Sequence, residues 1–114
     1  MFDFEKLEVY SKSKAFNKTV TQFLEENDLS KTINHQLSRA SFSIMLNIAE
    51  GSGRFTKPDK RNFYIIARGS AFECTAIFDF LKDNKQISEK DFKSKYYLLE
   101  EISKMLFALI RGLE

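Results

Sequence analysis

Basic and aromatic side chains recur at helical spacing in the middle of the chain. They are separated by four, three and four residues: Lys57, Arg61, Tyr64 and Arg68. In a helix this spacing places all four side chains on one stripe. An aromatic ring among cationic side chains is the combination that contacts phosphates and stacks on bases. The stripe is therefore the best local candidate in the sequence for nucleic-acid binding.

The charge of the chain is unevenly distributed. The 18 Lys and Arg against 16 Asp and Glu give a net charge of +2, which neither requires nor excludes a polyanionic partner. Residues 31–68 carry a local +5, whereas the remaining residues carry −3. The candidate phosphate contacts in this central region are Arg39, Arg54, Lys57, Lys60, Arg61 and Arg68. The alternative is an ordinary solvated helix face, on which Arg39 and Arg68 form inter-helix ion pairs with Glu50 and Glu73.

A polar edge lies just before this stripe in the chain. Its members are spaced by three, four, four and three residues: Gln36, Arg39, Ser43, Asn47 and Glu50. The regular spacing predicts that these side chains share one environment. That environment is either a solvated channel or a hydrogen-bonded seam between helices.

Residues typical of catalysis or metal binding are scarce. His35 is the only histidine, and no cysteine or carboxylate lies at metal-ligand spacing from it, so a His-based zinc site is not expected. Cys74, the only cysteine, falls on an apolar helical stripe, as a buried inert thiol does. The stretch Gly51–Arg54 follows a helix and lacks the Gly-Lys-Ser/Thr ending of a phosphate-binding loop. We therefore expect a non-enzymatic protein without a metal or cofactor.

Four helices are predicted to position these residues. Helix-breaking residues cluster at Glu26–Ser30, Gly51–Pro58 and Asp83–Ser88, which divides the chain into four segments. Ser30, Thr56 and Ser88 are suited to cap the second, third and fourth helices, and Gly51 to end the second. The predicted core stripes are Val9, Phe16, Val20 and Phe23; Ile33, Leu37, Ala40, Ile44 and Ile48; Phe63, Ile66, Ser70, Cys74, Ile77 and Leu81; and Phe92, Tyr96, Leu99, Ile102, Leu106, Leu109 and Leu113.

The helix pattern predicts the fold class. No segment alternates with a period of two, so no sheet is expected. Short connections make successive helices antiparallel neighbours. We therefore predict one all-α domain over residues 1–114, an antiparallel up-down-up-down four-helix bundle. The longest apolar run has six residues, Met105–Ile110, and the charged N-terminal segment is unlike a signal peptide. A cytoplasmic location without membrane contact is expected.

The second and third predicted helices carry more apolar surface than one core requires. Each has a second arc away from its core stripe: His35, Phe42, Met45 and Leu46 on the second helix, and Ile65, Gly69, Phe72 and Phe80 on the third. If the five largest of these side chains stayed in water, the protein would lose on the order of 10 kcal/mol of the free energy that their burial could contribute. The pattern favours a cyclic homo-oligomer in which Gly69 allows close approach of a second subunit. The alternative is that these residues are exposed singly, as many apolar residues are.

The order of residues resembles a known family. The first matching segments are Gln36-Leu37-Ser38-Arg39-Ala40, Ser43-Ile44 and Asn47-Ile48-Ala49-Glu50-Gly51-Ser52-Gly53-Arg54. Later matches are Phe63, Ile66-Ala67-Arg68-Gly69-Ser70 and Glu73, and Phe4–Tyr10 matches the opening. Together they resemble the four helix bundle protein family, also called 23S ribosomal RNA intervening sequence proteins.

The resemblance implies a homopentameric ring and an origin in open reading frames, some of which lie in intervening sequences of bacterial ribosomal RNA genes. Similar proteins include the accessory variability determinant of diversity-generating retroelements, a pentamer that binds nucleic acid and a reverse transcriptase. The predicted partners are therefore further copies of the chain, RNA or DNA, and a reverse transcriptase or other ribonucleoprotein component. The predicted function is that of a non-enzymatic nucleic-acid-binding or ribonucleoprotein accessory protein. The alternative is a structural or protein-interaction scaffold that binds no nucleic acid.

Overall fold

Four α-helices account for most of the chain in the computed structural model, which describes residues 1–114. They are α1 (Glu8–Glu26), α2 (Lys31–Ser52), α3 (Lys57–Asp83) and α4 (Glu89–Gly112), and a short 3₁₀ helix at Asp3–Lys6 precedes α1. There is no strand. Each helix packs against the next, and α1 packs against α4. The prediction of an all-α fold with four helices is confirmed.

Side-chain caps start three of the helices where the sequence predicts them. The hydroxyl of Ser30 accepts a hydrogen bond from the Ile33 amide at 3.2 Å. Thr56 does the same for the Asp59 amide at 3.2 Å, and Ser88 for the Asp91 amide at 3.1 Å. Each cap satisfies an amide that has no partner within its helix.

Gly51 has a different role from the predicted one. The sequence predicts that it ends α2, but α2 continues to Ser52 and the C-cap is Gly53, in a right-handed conformation with φ −88°. A Cβ on Gly51 would lie 2.9 Å from Cε1 of Tyr64 and 3.0 Å from Cβ of Phe63. Gly51 therefore allows α2 and α3 to approach closely beside the turn that joins them.

One core of 17 buried apolar residues runs through the bundle. All four predicted core residues of α1 are buried, as are four of the five in α2. In α3 the predicted stripe is partly wrong. Ser70, Cys74 and Leu81 are buried, but Ile66 is 43 % exposed, and the buried face is completed by Tyr64, Ala67, Ala71 and Phe78. Small alanines at the centre of the face let α3 lie close to its neighbours, whereas the predicted stripe follows the larger side chains.

Substituting Gly51 tests the close approach of α2 and α3. Gly51→Ala should lower the free energy of unfolding by about 1 kcal/mol in chemical denaturation, because overpacking against Tyr64 costs more than the better helix propensity of alanine returns. Gly53→Ala is the matched control, since its Cβ would lie 3.6 Å from the nearest atom, the Glu50 carbonyl oxygen. Equal stability of the two variants would contradict the close approach.

Two buried serines provide a second test. Ser13 is fully buried and its hydroxyl has no hydrogen-bond partner, so Ser13→Ala should raise the free energy of unfolding by about 1 kcal/mol. Ser41 is equally buried, but its hydroxyl accepts from Asn17 Nδ2 at 2.9 Å and donates to the Ser38 carbonyl at 3.2 Å. Ser41→Ala should therefore destabilise the protein by a similar amount. The same sign of change in both variants would contradict this hydrogen-bond assignment.

Candidate nucleic-acid and subunit interfaces

The seven residues predicted to contact nucleic acid lie in four different surroundings. Four of them, Arg54, Lys57, Lys60 and Arg61, lie together at the connection between α2 and α3. Arg39 lies between α2 and α3, Arg68 between α3 and α4, and Tyr64 in the core. The structure therefore brings together only the basic residues around the α2–α3 connection.

Residues 53–61 form a basic turn at one end of the bundle, in which Asp59 is the only acid. Arg54 pairs with Glu50, Nη2 to Oε1 at 3.1 Å, and its guanidinium lies 4.5 Å from the centre of the Phe63 ring. The ammonium group of Lys60 donates to the Ser52 carbonyl at 2.8 Å. Lys57 and Arg61 are exposed and form neither an ion pair nor a side-chain hydrogen bond. Of the predicted contacts, these two cations are the ones most available to an incoming phosphate.

Phe55 is an exposed residue of this turn that is not among the predicted nucleic-acid contacts. Its side chain is 101 % exposed. Beside it lies a hollow of about 370 Å³, lined by Ala49, Glu50, Gly53, Arg54, Phe55 and Asp59. The sequence does contain a pattern that indicates this exposure. Phe55 falls outside every helical apolar stripe and directly follows an arginine in a helix-breaking segment.

Arg39 belongs to a polar seam between α2 and α3. Its guanidinium pairs with Glu73 and donates to Oε1 of Gln36 at 3.2 Å. The hydroxyls of Ser43 and Ser70 lie 2.8 Å apart. Of the two environments that the sequence allowed for this polar edge, the structure has the hydrogen-bonded seam. Arg39 is therefore neutralised within the subunit, as the ion-pair alternative expects.

Arg68 faces a groove of about 680 Å³ between α3 and α4. Its Nε donates to the Ser103 carbonyl at 3.4 Å. Its guanidinium lies 4.7 Å from the centre of the Phe72 ring and 5.5 Å from that of Phe107. These contacts hold Arg68 against α4, away from the basic turn.

The predicted stacking role of Tyr64 is corrected by the structure. Tyr64 is only 5 % exposed, and its ring lies against the position where a Gly51 Cβ would be. Burial raises the pKa of its hydroxyl. Tyr64 turns toward the core because α3 packs on both α2 and α4, so its ring is not presented to a base, whereas Lys57 and Arg61 of the same stripe remain exposed.

The residues predicted to form subunit contacts lie on the outward faces of α2 and α3. The large members are each about half exposed: Phe42, Leu46, Ile65, Phe72 and Phe80. Of the remaining predicted contacts, His35 and Gly69 are exposed and Met45 is half-buried. A Cβ on Gly69 would meet nothing within 4 Å. Tyr96 and Phe107 of α4 are also exposed, although Tyr96 was predicted to be in the core.

The remaining groups to consider are the possible metal ligands and the one cysteine. No group of three or more His, Cys, Asp or Glu side chains lies close enough together to hold a metal ion. Cys74 is buried, and that burial, with a smaller contribution from the Glu73 carboxylate, raises the pKa of its thiol to about 12. Its thiol is therefore neutral near pH 7 and a poor nucleophile. None of the four helices has a stretch that is long and apolar enough to cross a membrane.

These features define a small all-α protein of four packed helices, with a basic turn at one end and apolar outward faces on α2 and α3. The chain belongs to the 23S rRNA-intervening sequence protein family, which matches residues 5–108. The family resemblance found in the sequence is thereby confirmed.

A solved structure has the same fold. It is the crystal structure of a protein of unknown function from the S23 ribosomal protein family of Bacteroides thetaiotaomicron. The two chains are 25 % identical and superpose with a TM-score of 0.85 over 90 % of this chain and 98 % of the other. No curated protein matches this chain significantly.

The burial of Cys74 predicts its reactivity. In the folded protein the thiol should not react with Ellman's reagent at pH 8, and it should react at once in guanidinium chloride. Because the pKa is higher in the folded state, the neutral thiol contributes stability below about pH 9 that is lost as the pH rises toward 12. Rapid reaction of the native protein would contradict the burial.

Proposed function

We propose that this protein is a non-enzymatic nucleic-acid-binding or ribonucleoprotein accessory protein that acts as a cyclic homo-oligomer. The observation that carries the proposal is the basic turn, where Lys57 and Arg61 have no internal partners. Neutralisation of phosphates by such cations releases counterions and drives sequence-independent binding. Membership of the 23S rRNA-intervening sequence protein family also supports a role beside RNA. The partners in this proposal are RNA or DNA and a reverse transcriptase or other ribonucleoprotein component.

The apolar outward faces support the oligomer. Phe42, Phe72 and Phe80 lie outside the buried core of their own subunit, and about half of each side chain remains in water. The outward apolar residues lie on two different helices, α2 and α3. Two different faces on one subunit suit a head-to-tail contact, which forms a ring when the rotation between subunits closes. A homopentamer would present five basic turns together and so raise the avidity for one polymer.

A protein-interaction scaffold is the second candidate, and a specific observation favours it. Arg39 and Arg54 already form ion pairs with Glu73 and Glu50, and Arg68 packs on two aromatic rings. With the hydrogen bond from Lys60 to the Ser52 carbonyl, four of the six candidate bases are thus engaged within the subunit. In this alternative the apolar faces, and not the basic turn, carry the function.

A salt titration separates the two candidates. The first predicts that affinity for RNA and DNA falls steeply between 50 and 200 mM salt. For duplex DNA, a plot of log affinity against log salt concentration should have a slope of about −0.9 for each phosphate contacted. The double variant Lys57→Glu/Arg61→Glu should bind more weakly and with a shallower slope, because two phosphate contacts are lost. Fluorescence anisotropy measures both quantities.

The control for this titration is Lys14→Glu/Lys18→Glu, which makes the same charge change at exposed positions of α1. Equal losses in both double variants would show that net charge, and not the basic turn, governs binding. No binding by the unaltered protein at low salt would favour the scaffold.

The oligomer is tested by light scattering after size exclusion. The protein should have a mass of five times 13.3 kDa, and Leu46→Lys or Ile65→Lys should dissociate it without loss of helix in circular dichroism, because both side chains are half exposed in the subunit. Ala15→Lys, at an exposed position of α1, should leave the mass unchanged. A monodisperse 13.3 kDa particle would refute the assembly.

A further inference from the structure

We infer that the basic turn binds single-stranded nucleic acid in preference to duplex, by stacking one unpaired base on the ring of Phe55. The inference rests on the proposed nucleic-acid binding and adds the class of polymer that the turn recognises.

Phe55 differs from the other exposed phenylalanines in its surroundings. Phe42, Phe72 and Phe80 lie on helix faces beside other apolar side chains, which is the arrangement that suits a protein contact. Phe55 is fully exposed, and its neighbours along the turn are Arg54 and Thr56. A single ring beside cationic side chains is the arrangement that proteins use to bind single strands, with bases on the ring and phosphates on the cations.

The hollow beside Phe55 has the polarity that suits a base. Its lining residues include Glu50 and Asp59; the carboxylate of Glu50 is paired with Arg54, whereas that of Asp59 forms no ion pair. A carboxylate repels phosphate, but it accepts hydrogen bonds from the amino and imino groups of a base edge. The side chains of Lys57 and Arg61 lie outside this lining. The charges therefore direct the base toward the hollow and the backbone toward the outer cations.

A duplex cannot use this site without losing its own stacking. In a paired helix both faces of each internal base are covered, and extruding one costs a few kcal/mol. The cations of the turn would still contact duplex phosphates. Phe55 would therefore add affinity for a single strand and none for a duplex.

The test compares Phe55→Ala with the unaltered protein by fluorescence anisotropy. The probes are labelled oligouridine, oligodeoxythymidine and an RNA duplex of the same length. Loss of one stacked base should weaken binding of both single strands by roughly 5- to 150-fold. Duplex binding should change less than about twofold, and the dependence on salt should keep its slope because the phosphate contacts remain. Phe55→Tyr should retain single-strand affinity, because it keeps a stacking ring.

Phe2→Ala is the matched control, since Phe2 is another exposed phenylalanine, 73 % exposed, that precedes α1. It should leave all three affinities unchanged. If the unaltered protein binds single strands but Phe55→Ala binds them equally well, the stacking inference is wrong and the proposed binding function stands. If Phe55→Ala changes only the mass in light scattering, Phe55 is a subunit contact and the inference is likewise overturned. If the unaltered protein binds none of the probes at low salt, the proposed function itself fails.

Discussion

The close packing of α2 against α3 is the contact on which the other surfaces of this protein depend. Next to the turn, Gly51 has no Cβ, so the ring of Tyr64 can lie directly against the α2 backbone. Farther along, the hydroxyls of Ser43 and Ser70 lie within hydrogen-bond distance, and the Arg39–Glu73 pair completes the seam. Small and polar residues thus replace large apolar ones along this contact. The large side chains of both helices are consequently left on their outward faces or directed to the common core.

The same packing decides which positive charges are available. A run of 38 residues with a local charge of +5 resembles one basic surface when it is read along the chain. In the bundle, Arg39 is neutralised in the seam, and Arg68 is held over aromatic rings on the side of α4. Of the six candidate bases, only Lys57 and Arg61 are left without an internal partner, and both lie at the α2–α3 turn. A partner that recognises these two charges would therefore meet one end of the bundle, and a partner that recognises apolar surface would meet its sides.

This separation connects assembly with binding. The outward faces of α2 and α3 run along the length of the bundle, whereas the basic turn lies at its end. A ring formed through the sides would leave the turns uncovered and hold them at fixed distances from one another. Weak phosphate contacts in a single subunit could then add up along one polymer.

Much of this fold was predictable from local patterns. The caps at Ser30, Thr56 and Ser88 act within one helical turn, so the starts of α2, α3 and α4 follow from nearby residues. Nearly all residues of the core stripes predicted for α1 and α2 are buried, because those stripes follow the helical period. The orientation of α3 did not follow in this way. It has apolar side chains around most of its circumference, and Ala67 and Ala71 became its buried centre because two neighbouring helices pack against them. Tyr64 is in the core, Arg39 and Arg68 have partners, and Phe55 is fully exposed for the same reason. The surroundings of each side chain depend on residues that are distant in the chain and become neighbours only after the helices pack.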